Sequence, residues 1–177
     1  MSEEFQWYAI VDADDQLLQG DFVESCPVVI PSLQLLTGAG TDIDVDVTEY
    51  NTVVMSQSCD LEQEKLDLVL VCPVWTLGQF QDANERYKSG KAKEQLRRGN
   101  SAGFHLLNEC KVEGFERDYL VVDFRNVYGV PFTFLVDLAK DRGKRLRLLP
   151  PYREHLSQAF ARFFMRVGLP VDIPSFI

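Results

Sequence analysis

The chain has 177 residues, of which 46% are hydrophobic, 25% charged and 11% aromatic. This balance is typical of one compact domain and excludes both a disordered chain and a disulfide-rich miniprotein. The longest apolar runs are far shorter than the roughly 20 residues that a membrane-spanning helix requires. The acidic start of the chain does not resemble a secretory signal. We therefore predict a single domain over residues 1–177, a cytoplasmic location and no membrane partner.

Charge is distributed unevenly along the chain. The net charge is −9, but residues 1–64 contain 14 Asp and Glu and no Lys or Arg, whereas residues 65–177 contain 13 acidic and 18 basic residues. An acidic segment repels nucleic acid and attracts basic surfaces. The asymmetry favours a protein partner and disfavours RNA, unless the two parts of the chain neutralise each other within one fold.

The spacing of the cysteines argues against a metal centre. The four cysteines form no C-x-x-C pair, and only two histidines could complete a zinc site. We expect reduced, mostly buried thiols in a reducing compartment. The sequence thus predicts neither a metal nor a cofactor.

Short strands separated by turns are predicted for the first 75 residues, because β-branched and aromatic runs alternate with Gly, Pro and Asp. The first two strands flank a turn at Asp12–Asp15 and predict an opening hairpin. Pro27 and Pro31 confine the following segment to a sheet edge or a loop. The predicted strands of this half are Phe5–Val11, Leu17–Val23, Asp42–Val47, Asn51–Ser56 and Leu66–Val74.

A basic, helix-compatible insertion is predicted over residues 79–99, between the two sets of strands. Four further strands are expected after it, at Gly103–Leu107, Tyr119–Phe124, Phe132–Leu138 and Arg145–Leu149, with a turn at residues 128–131. Apolar residues then recur with helical spacing from Leu156 to Val167. This periodicity predicts a C-terminal helix over residues 151–167 that packs its three phenylalanines onto the sheet.

Two charged segments are predicted to bind a partner. Strict alternation places Asp42, Asp44 and Asp46 on one face of a half-buried strand. Carboxylates on alternate strand positions are separated by roughly 6.6 Å per step, too far for all three to hold one cation. The basic residues of the insertion form the second candidate surface. Its predicted contact residues are Arg86, Lys88, Lys91, Lys93, Arg97 and Arg98.

A cluster of small polar residues follows the predicted strand Asn51–Ser56, where functional groups are often presented. In an enzymatic interpretation Cys59 is a nucleophile, Asp60 orients the base, and the base is His105 or His155. The segment lacks the glycines of a nucleophile elbow. The alternative is a turn whose polar side chains bond to their own backbone while Cys59 packs inward.

Three segments of the chain resemble the core strands of the PemK/MazF-type toxin barrel. They are Gln19–Val23 with its Gly-Asp pair, Thr52–Gln57 with its terminal Ser, and Val69–Val74 with its terminal Pro. The resemblance covers about a third of the chain and implies an SH3-like barrel related to bacterial endoribonucleases of toxin–antitoxin systems. The family places a catalytic Arg before the Ser-terminated strand, where this chain has Glu49-Tyr50-Asn51. The Ser-Gln-Ser-Cys-Asp segment is also similar to bacterial proteins from which no function carries over.

The sequence therefore predicts an α+β fold built on an SH3-like, partly open β-barrel with a helical insertion and a packed C-terminal helix. The favoured function is not enzymatic: a small bacterial interaction or regulatory protein that acts through a protein partner. The first alternative is a sequence-specific endoribonuclease in which Ser56, Arg86, Arg97 or Arg98 serves the cleaved phosphate. The second is a hydrolase that depends on Cys59.

Overall fold

The structure is a computed structural model that describes residues 5–31 and 45–165. Within these residues the fold is mixed α/β, with antiparallel strand pairing and five α-helices. The strands are β1 (Tyr8–Val11), β2 (Phe22–Ile30), β3 (Asp46–Val54), β4 (Leu68–Thr76), β5 (Phe104–Leu107), β6 (Leu120–Asp123), β7 (Tyr128–Pro131) and β8 (Arg145–Leu148). The helices are α1 (Ser58–Glu62), α2 (Leu77–Ala83), α3 (Gly90–Arg97), α4 (Phe132–Arg142) and α5 (Tyr152–Phe164).

The main sheet has six strands and is not closed into a barrel. Its order is β2-β3-β4-β6-β5, and β7 pairs with β4 beyond the end of β6. The segment that contains Pro27 lies in β2 at the edge of this sheet, where a missing N–H is tolerated. Strands β1 and β8 form a separate two-stranded sheet.

The predicted opening hairpin is wrong, because β1 pairs with β8 instead of with the next segment of the chain. Residues 17–21 form a connection between the two sheets. Gly20 donates its N–H to the Val54 carbonyl at 2.9 Å and accepts from the Leu148 N–H at 2.9 Å. Gly20 has a positive φ of 86°, a backbone conformation that other residues rarely adopt. A Cβ at this position would lie 3.1 Å from the Leu148 Cβ, so there is no room for another side chain.

A buried carboxylate joins β8 to this connection. Asp21 is completely buried, and Arg145 is 5% exposed. Arg145 Nε donates to Asp21 Oδ2 at 2.8 Å, and Arg147 holds both Asp21 oxygens. The two arginines also donate to backbone carbonyls of the turn before Asp21. We call these three residues the Asp21 ion cluster.

Two other predictions in the second half of the chain are wrong. Residues 128–131 form strand β7, not a turn, and Phe132–Arg142 form helix α4, not a strand. The apolar run at its start suits either structure, and tertiary packing decides between them. Leu135 and Ala139, one helical turn apart, are buried against Val23, Val69 and neighbouring core residues.

The first half of β3 is less buried than its alternation predicts. Val45 and Val47 are 47% and 56% exposed. Strand β3 pairs with β4 only from Thr52 to Val54, so its earlier residues pair with β2 alone. Asp46 is exposed at the start of β3, whereas Asp42 and Asp44 lie outside the described residues.

The helical insertion and the C-terminal helix are confirmed. Helices α2 and α3 occupy the insertion and enclose a small core of their own, with Phe80, Tyr87 and Leu96 buried against β5 and β6. Helix α5 packs on the main core through Leu156, which is fully buried. One detail of the helix prediction is wrong: Phe164 is 62% exposed, so only Phe160 and Phe163 pack on the core.

Candidate functional site

A cleft lies between the helical insertion and the C-terminal helix. Helix α3 and the loop after it form one wall, and α5 forms the other; β5 contributes to the lining as well. Its volume is about 570 Å³. We call it the cationic cleft because its charged lining residues are basic, and its polar lining includes Arg97, Arg98, Asn100, Ser101, His105, His155, Gln158 and Arg162.

Two arginines reach the cleft from the C-terminal end of α3, with Arg97 in its last turn and Arg98 as its C-cap residue. Arg97 and Arg98 both pair with Glu94, at 2.7 Å and 2.6 Å, and these hydrogen bonds lower the pKa of Glu94 to about 2. One carboxylate thus faces two guanidinium groups, and both arginine side chains remain more than 60% exposed. This end of the cleft therefore keeps a net positive charge.

The third arginine comes from the opposite wall. Arg162 lies on α5, two turns after His155, and donates Nε–H to the Gln158 carbonyl at 3.3 Å. No Asp or Glu lines the cleft in the part of the chain that the structure describes. Since Arg97 and Arg162 come from separate elements, the positive charge is a product of the fold and not of one basic run.

The two histidines meet in the same cleft. His105 lies on β5 beside the Phe124 ring, and His155 is exposed in the first turn of α5. Burial is the main reason that the pKa of His105 falls to about 4, and the charges of His155 and Arg162 lower it further. His105 is therefore neutral at physiological pH and can accept or donate a hydrogen bond without adding charge.

A buried hydroxyl completes the lining. Ser101 is 5% exposed, and its Oγ has no hydrogen-bond partner within the described residues. The loop that carries it bends at Gly99 and Gly103, which have φ values of 69° and 88°. A Cβ on Gly103 would lie 3.0 Å from Arg125 Cγ and 3.3 Å from the Phe163 ring, so this close approach of the loop to α5 requires glycine.

The predicted Ser56–Cys59–Asp60 site is not assembled with a histidine. Ser56 is 8% exposed, and its Oγ accepts from the Leu70 N–H at 2.9 Å, a contact that ties β4 to the end of β3. The predicted turn is instead the short helix α1, which contains Asp60 and buries Leu61. Cys59 is exposed and does not pack inward. It lines a separate shallow cleft that includes neither His105 nor His155.

The remaining basic residues of the insertion lie away from the cationic cleft. Arg86 stacks over the Tyr87 ring at 4.6 Å, and Lys88 is 3.5 Å from Asp82. Lys91 and Lys93 are exposed on α3 but do not line the cleft. Of the six basic residues predicted to contact a partner, the fold brings only Arg97 and Arg98 together with the histidines.

Arg162 and Ser101 line the cleft but are not among the site residues predicted from the sequence. Arg162 follows His155 by seven residues, so helical spacing alone places both on one face of α5. Ser101 has no comparable signal, because its burial depends on how the loop after α3 packs against α5.

Neither a metal site nor a membrane helix is found in residues 5–31 and 45–165. No group of three His, Cys, Asp or Glu is placed to hold a metal ion there. None of the helices in these residues has the length and apolar character needed to cross a membrane. Comparison of the chain with family models and with curated proteins finds no match.

Proposed function

We propose that this protein is a small cytoplasmic regulatory protein of bacterial type that binds an acidic segment of a protein partner in the cationic cleft. The observation that carries the proposal is the convergence of Arg97, Arg98 and Arg162 from two separate helices on a cleft without a lining carboxylate among the described residues. Guanidinium groups recognise carboxylates in a paired geometry. A protein segment rich in Asp and Glu supplies the complementary charge.

The overall charge of −9 disfavours binding of a long RNA more than binding of a short acidic segment. Repulsion between exposed charges is screened over about 8 Å at physiological salt, so contacts inside the cleft outweigh charges elsewhere. A short segment contacts the cleft alone, whereas a long RNA strand extends beyond it over a protein whose net charge is negative. This contrast supports a protein partner.

The toxin-barrel relationship stays part of the proposal. The three segments that resemble the family fall on or next to β2, β3 and β4, which are neighbours in the sheet, and this adjacency supports an SH3-like ancestry. Glu49 is exposed on β3 close to where the family has its catalytic arginine. The replacement supports a binding role without RNA cleavage. The exposed Asp46 remains a second proposed contact for a partner, and the predicted contacts Asp42 and Asp44 lie outside the described residues.

The test is binding of a short, fluorescein-labelled peptide rich in Asp and Glu, measured by fluorescence anisotropy. We expect the double variant Arg98→Gln/Arg162→Gln to weaken binding by about tenfold or more, because two charge-assisted contacts are lost. The double variant Lys91→Gln/Lys93→Gln is the matched control, since it removes the same charge from outside the cleft. Equal weakening in the two double variants would show that binding is non-specific and would reject the cleft as the site.

A second candidate function is RNA cleavage, favoured by the presence of two histidines and three arginines in one cleft. The test is incubation of the purified protein with mixed RNA, followed by mapping of the RNA ends. Discrete cleavage sites that disappear in Arg97→Ala would overturn the non-enzymatic proposal. Loss in Ser56→Ala alone would not, because the Ser56 hydroxyl holds the Leu70 backbone.

A further inference from the structure

A second pocket shares no lining residue with the cationic cleft. Its volume is about 300 Å³, and it is more enclosed than the cationic cleft. Residues from β2, β3, β4, β6 and β8 line it, together with the loop before β6 and the end of α4. Ligand pockets of proteins start at about this volume and usually combine an apolar interior with a few polar groups.

The floor of this pocket is the main hydrophobic core itself. Phe22, Val74, Leu120 and Leu146 all line it, and they are 9%, 6%, 6% and 5% exposed. The other ten buried residues of the same core cluster are 3% exposed or less. The four most exposed residues of this core cluster therefore all line the pocket. We call this pocket the apolar-floored pocket.

Basic side chains surround the apolar floor. Arg117, Arg142 and Lys144 line the pocket, and Glu24 is the acidic residue among its described lining residues. Arg117 pairs with Glu24 at 2.5 Å. Arg145 also lines the pocket, but its guanidinium is held in the Asp21 ion cluster.

The remaining two cations have only weak partners. Arg142 lies 3.9 Å from Asp141, and Lys144 lies 3.3 Å from Asp12; both carboxylates are more than 70% exposed. Arg142 also donates to the Ser25 carbonyl at 3.4 Å. Exposed pairs of this kind contribute little stability, so a better-placed anion can replace them. Arg142 and Lys144 thus supply a positive edge next to an apolar floor.

We propose that the apolar-floored pocket binds a small amphipathic carboxylate, with its hydrocarbon part on Phe22, Val74, Leu120 and Leu146 and its carboxylate at Arg142 and Lys144. The apolar floor selects for the hydrocarbon part of the ligand, and the positive edge selects for its carboxylate. A purely polar anion leaves the floor exposed, and an uncharged hydrocarbon leaves the cations without a new partner. This site is separate from the cationic cleft and does not depend on the proposed function.

The experiment is an NMR titration of the ¹⁵N-labelled protein with hexanoate, with acetate, 1-hexanol and hexylamine as matched probes. Hexanoate should shift the amides of Val74, Leu120 and Leu146. It should bind about tenfold or more tightly than acetate, because its extra methylene groups leave water. It should also bind more tightly than 1-hexanol and hexylamine, because they lack the negative charge.

Variants separate the two halves of the site. Arg142→Gln/Lys144→Gln should weaken hexanoate binding about fivefold or more while leaving 1-hexanol binding unchanged, since the variant removes only the charged contacts. Both side chains are at the surface, so the variant is expected to fold. The control Lys91→Gln/Lys93→Gln, with the same charge change elsewhere, should leave hexanoate binding unchanged.

Three results would each overturn the proposal. They are the absence of hexanoate-induced shifts at the floor residues, equal affinity for hexanoate and 1-hexanol, and equal weakening in the two double variants. The peptide measurement on the cationic cleft is unaffected by any of them, so failure here and failure of the proposed function are distinguishable.

Discussion

The Asp21 ion cluster and the cationic cleft both contain several arginines, but these are bonded inside the protein in the cluster and exposed to solvent in the cleft. In the cluster, two arginines surround one fully buried carboxylate and also donate to backbone carbonyls, so their donors are largely satisfied inside the protein. In the cleft, two arginines share one partly exposed Glu94 and remain largely exposed themselves. Burial and the number of internal acceptors therefore separate structural arginines from arginines available to a ligand.

Removing the carboxylate of the Asp21 ion cluster should cost the most stability. Asp21→Asn should lower the free energy of unfolding by about 3 to 5 kcal/mol, because it leaves Arg145 buried without its counterion. Glu94→Gln is the comparison in the cleft and should leave stability almost unchanged, since both of its partners face water. Urea unfolding followed by circular dichroism measures both. Equal midpoints for the two variants would break the distinction between the two regions.

The wall of the cationic cleft depends on how α5 is anchored. Leu156→Ala should cost about 2 to 5 kcal/mol of stability, because Leu156 is fully buried in the main core. Phe164→Ala, on the same helix but 62% exposed, should cost much less. Thermal unfolding of the two variants tests this contrast. A large loss in Phe164→Ala would mean that the end of the helix contributes to the core.

His105 gives the stability of the protein a pH dependence that originates in the cleft. Its pKa is about 4 in the folded protein, below the ordinary histidine value of 6.5, so the unfolded chain binds more protons between these two values. Its contribution to stability is therefore retained above pH 6.5 and lost as pH falls toward 4. The loss should reach about 3 kcal/mol at most.

The measurement is the urea midpoint as a function of pH for the wild type, His105→Gln and His155→Gln. His105→Gln should flatten the curve most between pH 4 and 6.5, and His155→Gln should flatten it less, because it removes only one of the charges that lower the pKa of His105. An unchanged slope in this variant would show that other groups, such as carboxylates, govern acid sensitivity in this range.

Thiol labelling compares the exposed cysteine with the three cysteines that are buried in the core. Cys59 is exposed, whereas Cys26, Cys72 and Cys110 are buried. Burial, reinforced by the charge of Asp123, raises the pKa of Cys72 to about 12. With iodoacetamide at neutral pH, mass spectrometry should therefore find one modified cysteine, absent in Cys59→Ser. Asp21→Asn should expose the others to labelling through more frequent opening.

Elements whose local pattern has one interpretation could be predicted from the residues alone. The apolar spacing around Leu156 predicts α5, and the basic segment from Arg86 to Arg98 predicts the helical insertion; both are present. The mixed α/β class follows from these elements and from the β-branched runs that form β3 and β4. Cys59 and Asp60, in contrast, were predicted in a turn and lie in a helix.

Contacts between distant residues could not be predicted in this way, because they depend on how the whole chain packs. The pairing of β1 with β8 joins residues more than a hundred positions apart, and nothing local distinguishes it from a hairpin with the next segment. The same holds for Arg97, His105 and Arg162, which share a cleft, and for Arg145, whose partner Asp21 is 124 residues away in the sequence. Periodicity reports which face of an element is apolar, whereas long-range pairing is selected by the free energy of the whole packed core.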